Sequence, residues 1–155
     1  MEIVTRSSEE TQRLARAIGE ACRGGELLLL SGELGAGKTS FVQGLARGLD
    51  IEEYVHSPTF VLVAEYHGRL TLYHADLYRI ESAGEAADLG LDDYFRPDAV
   101  CAVEWAEKTP GVFPGDHLRV AIEHLGGDRR RIAIDASGQR HATLLRTVAA
   151  ARTTA

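Results

Sequence analysis

The chain has 155 residues, 45% hydrophobic and 26% charged, with 17 Lys and Arg against 23 Asp and Glu for a formal net charge of −6. That balance excludes a disordered chain, which needs low hydrophobicity with high net charge, and argues against a protein that grips nucleic acid by itself, which is more often basic. No apolar run approaches the ~18 residues of a membrane helix, residues 1–4 lack the regions of a signal peptide, and Cys22 and Cys101 fit no metal-ligand spacing, so a cytoplasmic protein with one domain over residues 1–155 and no membrane association is expected.

Residues 3–5 read as a short strand. Ser7 and Glu10 then open a helix as a capping box, with Leu14, Ile18, Ala21 and Cys22 on one face, and Gly24-Gly25 ends it. The continuous apolar run 26–31 fits a strand buried on both faces, as in a parallel sheet. Residues 38–49 read as a helix with Phe41, Val42, Leu45 and Leu49 inward. Residues 59–66 and 70–75 read as a hairpin turning at His67-Gly68-Arg69. Residues 82–89 are weakly helical, 98–105 form a second buried strand, 117–124 and 130–135 form a late hairpin, and 139–150 a closing helix. This order predicts an α/β fold: a three-layer, P-loop NTPase-like domain with a mixed, partly antiparallel sheet.

Between the first buried strand and its helix stands Gly32-Glu33-Leu34-Gly35-Ala36-Gly37-Lys38-Thr39, the G-x-x-x-x-G-K-[ST] pattern. The spacing has a physical reason. Successive backbone N–H groups must turn inward onto phosphate oxygens, glycine lets the backbone approach closely, and the next helix presents its positive end. Lys38 then reaches the β- and γ-phosphates as a point charge, and the Thr39 hydroxyl is placed for Mg²⁺. Lys38 and Lys108 are the only lysines in a chain otherwise served by arginine.

Strands of such sheets deliver ligands at their carboxyl ends. Glu104 ends an apolar strand and is the expected metal-site acid; Asp76 ends another and is expected to orient water or support the metal. The segment His56-Ser57-Pro58-Thr59 stands where a switch segment can sense the γ-phosphate. His74 reads as structural, and the cluster 129–131 as a solvated hairpin. The chain lacks asparagine, and with it the guanine-recognition motif of GTPases. These residues leave a partner-coupled ATPase, a free-standing small-molecule kinase, and a module that senses ATP without hydrolysing it.

The loop, Ser57-Pro58-Thr59-Phe60, His74-Ala75-Asp76-Leu77-Tyr78-Arg79, Leu89-Gly90-Leu91-Asp92-Asp93-Tyr94-Phe95 and Val103-Glu104-Trp105 occur in the order and spacing of one family. Over residues 3–136 the chain resembles TsaE, the small ATPase of bacterial tRNA threonylcarbamoyladenosine synthesis. The resemblance implies ATP and Mg²⁺ as cofactors and TsaD and TsaB as protein partners, with tRNA reached only through that complex. It implies Thr39 and Glu104 on the metal, and Asp76, Lys38 and Glu104 in catalysis. Nucleotide contacts are expected from Gly32, Leu34, Gly35, Ala36, Gly37, Lys38, Thr39 and Ser40, from Thr59 in the switch, and from Ser8 and Arg129. Ala75 stands where the family commonly has a bulkier aromatic.

Overall fold

Two apolar segments set the centre of the molecule. In the computed structural model, which describes residues 1–58 and 62–154, they are strands β2 (Leu27–Ser31) and β5 (Ala99–Glu104), and they pair in parallel. Before β2 come β1 (Glu2–Thr5) and α1 (Ser8–Ala21); after it come α2 (Lys38–Gly48), β3 (Val63–His67), β4 (Thr71–Asp76) and α3 (Ala83–Asp88). After β5 follow β6 (His117–Gly126), β7 (Arg129–Ser137) and α4 (Gln139–Thr154), with 3-10 turns at Leu91–Tyr94 and Ala106–Lys108. The seven strands form one sheet in the order β1-β7-β6-β2-β5-β4-β3. Pairing is parallel from β6 through β2 and β5 to β4, and antiparallel at both margins. The fold is α/β with a mixed sheet, as the sequence predicts.

The predicted elements are all present, with shifted ends. The β3–β4 hairpin turns one residue later than expected, and the expected strand residues 59–61 lie outside the described residues. The late hairpin is longer than its apolar alternation suggests, because β6 continues through a register irregularity between His124 and Gly126. Ser7 caps α1 by accepting from Glu10 N at 3.1 Å. Glu10 returns its bond to Arg6 N at 2.7 Å, one residue outside the expected box.

The two faces of the sheet are covered unequally. Leu14 and Ile18 of α1, Phe41 and Leu45 of α2, and Leu144 and Val148 of α4 share one apolar cluster with Leu28, Leu30, Val100, Val120 and Ile132. All three long helices therefore lie on one face. Leu27, Tyr73, Ala75, Cys101 and Val103 face the other way, and only short segments cover them, through Leu77, Ile80, Ala86, Leu91 and Ala106. Over β6 and β7 that second face turns to water. Arg119, Glu123 and Asp135 are exposed, and Arg131 pairs with Glu2 and with Glu123, each at 3.3 Å.

α1 and α2 pack closely enough to need glycine. A Cβ on Gly44 would stand 2.3 Å from Gln12 O, and one on Gly48 would stand 2.3 Å from Arg16 O. The far ends of both helices meet Arg69 from the β3–β4 turn. Its guanidinium donates to Cys22 O (2.9 Å), Gly19 O (2.8 Å) and Gly48 O (3.3 Å), taking up carbonyls left over at two helix C-termini.

Candidate functional site

The loop between β2 and α2 leaves the sheet centre at Gly32, with φ 147°, beside β6. A Cβ there would meet Ile122 O at 2.5 Å, so only glycine passes. The loop re-enters at Gly37, the residue before α2, with φ 112°. Gly37 has no side chain to cap the helix, so the leading N–H groups of α2 are left for an outside acceptor. An anion at that end meets both these donors and the positive end of the helix dipole.

Lys38 is 4% exposed. Its Nζ donates to Gly32 O at 2.6 Å and Glu33 O at 2.9 Å, and lies 4.0 Å from the centroid of the Trp105 ring. Burial lowers its pKa from the usual lysine value, and the nearby charges of Glu104, Glu107, Asp76 and Glu33 work the other way. The chain leaves β5 through Trp105 at φ 61°, a left-handed conformation uncommon for a bulky residue. That turn ends the strand one residue earlier than predicted, and the indole comes to rest against Lys38 and the Tyr78 ring, 5.1 Å away.

Asp76 and Glu104 are register partners on β4 and β5, and Leu30 of β2 pairs with Glu104 on the other side. Register partners share a face of the pleat, so both carboxylates leave the sheet on the α2 side. Thr39, in the first turn of α2, donates its hydroxyl to Glu104 Oε2 at 3.0 Å, with Oε1 at 3.2 Å. Ser57 Oγ donates to Asp76 Oδ2 at 2.5 Å, and Tyr78 N donates to Oδ1 at 2.9 Å. These groups line a cleft of about 450 Å³ at the carboxyl ends of β2, β4 and β5, with Gly35, Pro58 and Arg79 on its wall.

The family profile described as "Threonylcarbamoyl adenosine biosynthesis protein TsaE" matches residues 5–132. The chain belongs to the TsaE family. It is 44% identical to the tRNA threonylcarbamoyladenosine biosynthesis protein TsaE of Bacillus subtilis over 141 residues, covering 90% of this chain and 88% of that one. It is 40% identical to the protein of that name from Treponema pallidum, over 86% of this chain and 99% of that one. The crystal structure of Bacillus subtilis YdiB superposes with a TM-score of 0.86 at 37% identity, covering 98% of this chain and 95% of that one.

In this TsaE-family chain, the site residues expected from the sequence fall at varying distances from the cleft. Gly35, Gly37, Lys38, Thr39, Ser40, Asp76 and Glu104 line it, as does Leu34, whose side chain is 76% exposed. Gly32 and the buried Ala36 shape the loop behind it. Ser8 lies on the opening turn of α1, where its hydroxyl meets that of Ser40 at 2.8 Å. Thr59 lies outside the described residues. Arg129 is exposed at the start of β7. The guanidinium that reaches the loop belongs to Arg130, whose Nε donates to Ala36 O at 2.7 Å. Ala75 points away from Asp76, into the cluster on the opposite face, because neighbouring strand residues alternate.

His74, expected from the sequence to be structural, lies beside Glu104. It is fully buried, and its Nε2 lies 2.5 Å from Glu104 Oε2. Its place two residues before Asp76 on one strand puts both on one face. Among the described residues no group of three or more His, Cys, Asp or Glu could hold a metal. A cation at Thr39 and Glu104 would complete its shell with water and ligand oxygens, the manner in which Mg²⁺ binds through one or two carboxylates plus phosphate.

Proposed function

We propose that this chain is a Mg²⁺-dependent, P-loop NTPase-like ATP hydrolase that serves tRNA threonylcarbamoyladenosine biosynthesis together with TsaD and TsaB. The observation that carries the reading is the convergence of Lys38, Thr39, Glu104 and Asp76 on one cleft at the strand ends. The names of the relatives support the pathway. The uncapped start of α2, the three positive-φ glycines of the loop and the buried ammonium together fit a polyphosphate.

The residues divide the work as follows. The 32–39 loop and the start of α2 cradle the phosphates with backbone N–H groups. Lys38 exchanges its bonds to Gly32 O and Glu33 O for β- and γ-phosphate oxygens and stabilises the charge that grows there as the terminal bond breaks. Thr39 and Glu104 would hold Mg²⁺, which would supply neutralisation of the phosphate charge. Asp76, fixed by Ser57 and by Tyr78 N–H, orients the attacking water. Ser57 belongs to the segment that responds to the γ-phosphate and so links occupancy of the cleft to the surface offered to TsaD. The protein is expected to turn over slowly alone, with the partners completing the site.

Asp76→Asn separates binding from chemistry. ATP affinity is expected to stay within a few-fold of wild type, while kcat falls by about 10²–10⁴, the usual contribution of a positioned acid–base group. Unchanged kcat would remove Asp76 from the reaction. A free-standing kinase reading predicts instead that the γ-phosphate moves to an added small-molecule acceptor faster than to water.

A further inference from the structure

His74 occupies a place where an apolar side chain would be the simpler choice. It sits inside β4 with no exposed surface, between Ala64 of β3 and Ala102 of β5 in the pairing register. Its Nδ1 has no hydrogen-bond partner among the described residues, an unfavourable condition for a buried polar atom. A purely packing role is better filled by leucine. What the imidazole gains is one bond, from Nε2 to Glu104 Oε2 at 2.5 Å. A carboxylate only accepts, so the shared proton is carried on Nε2. The alanines on both sides leave room for the ring to lean toward the strand end where Glu104 stands.

We infer that His74 is a positioning residue that fixes the Glu104 carboxylate for cation binding. This rests on the assignment of Glu104 to a Mg²⁺ site under the proposed function. Among the described residues two side chains hold the Glu104 carboxylate: Thr39 and His74. A cation shared by Thr39 and Glu104 would take the Glu104 lone pairs that now accept the Thr39 hydroxyl. The His74 bond is the one that does not compete with the cation. It engages Oε2, would leave Oε1 open to a cation, and removes the rotational freedom that a glutamate at a strand end would otherwise lose on binding. Groups hydrogen-bonded to metal ligands act in this way, and their loss typically weakens metal binding by about 10–100-fold.

The test uses the chain's single tryptophan, Trp105, which lines the cleft and reports on it by fluorescence. Wild type, His74→Leu, His74→Gln and Glu104→Ala are saturated with the β,γ-imido analogue of ATP and titrated with Mg²⁺; analogue affinity without metal and thermal melting are measured alongside. His74→Leu is expected to raise the half-saturating Mg²⁺ by about 10–100-fold, with metal-free analogue affinity unchanged. His74→Gln, which keeps an N–H near the position of Nε2, is expected to return the requirement toward wild type. A His74→Leu protein with wild-type Mg²⁺ requirement, when Glu104→Ala has lost it, overturns the inference and leaves the site assignment standing. If Glu104→Ala also keeps the wild-type requirement, the metal assignment falls and the inference with it. Equal loss of affinity with and without metal, or a Gln variant as impaired as Leu, marks a packing role and overturns it too.

Discussion

Lys38, the lysine expected to meet phosphate, sits where burial works against its own charge. Its ammonium is buried against an indole and two carbonyls, and burial outweighs the surrounding carboxylates in lowering its pKa. Because the folded-state pKa lies below the unfolded one, the unfolded chain holds this proton more tightly. Stability therefore rises with pH through the interval that ends at the ordinary lysine value of 10.5. Lys38→Met is expected to melt higher than wild type without ligand at neutral pH, with the gap closing as pH climbs toward 10.5. Calorimetric melts of both proteins across that range check this, and the same variant is expected to lose ATP binding. A lower melting temperature for Lys38→Met at neutral pH would show that the bonds to Gly32 O and Glu33 O dominate. At this scale the sequence is readable where chemistry dictates residue type and spacing together, as in the 32–39 loop. It is silent on Arg130 against Arg129, because which of two adjacent arginines reaches Ala36 depends on the pleat phase of β7, and both are equally polar in sequence.

Helices α1 and α2 owe their spacing to Gly44 and Gly48. Alanine has the higher helix propensity by about 1 kcal/mol, yet its Cβ at position 44 would press on three backbone atoms of Gln12 within 2.3–2.8 Å. Backbone cannot rotate away, so overpacking prevails: Gly44→Ala is expected to destabilise by about 1–3 kcal/mol in urea unfolding. A gain in stability would mean that the helices separate easily. α4 is tied to the sheet by a different device. His141 accepts Leu27 N–H on Nε2 at 2.9 Å and meets Asp116 Oδ1 through Nδ1 at 2.6 Å, so its tautomer is set by its two partners. His141→Phe leaves the Leu27 N–H buried without an acceptor and is expected to cost about 1–3 kcal/mol in the same assay. The hydrogen bond from His141 holds the Asp116 carboxyl below its usual pKa, so its contribution persists at neutral pH and is lost as pH falls below about 3.8. The buried strands β2 and β5 and the three long helices were legible because apolar runs and helical period are local. The cover of the second face was not: Ile80, Leu91 and Ala106 come from short turns with no period, and only the sheet they land on makes them core.

The molecule as a whole is a sheet with one thick side, one thin side and its candidate site at one end. The parallel strands β2, β4 and β5 all finish at that end, which is where α/β sheets hold ligands. Glu104 and Asp76 become neighbours only through the β4–β5 register; the sequence places each at a strand end but not the two side by side. ATP hydrolysis coupled to partners is the central claim, and one experiment bears on it most directly: Mg²⁺-dependent phosphate release from ATP, with and without purified TsaD–TsaB, by wild type and by Lys38→Ala, Asp76→Ala and Glu104→Ala. The account predicts slow release by the isolated chain, stimulation by the partners toward the range of about 10³–10⁵ that activating groups supply in other P-loop systems, and loss in all three variants. Release that ignores the partners and survives the three substitutions would contradict it.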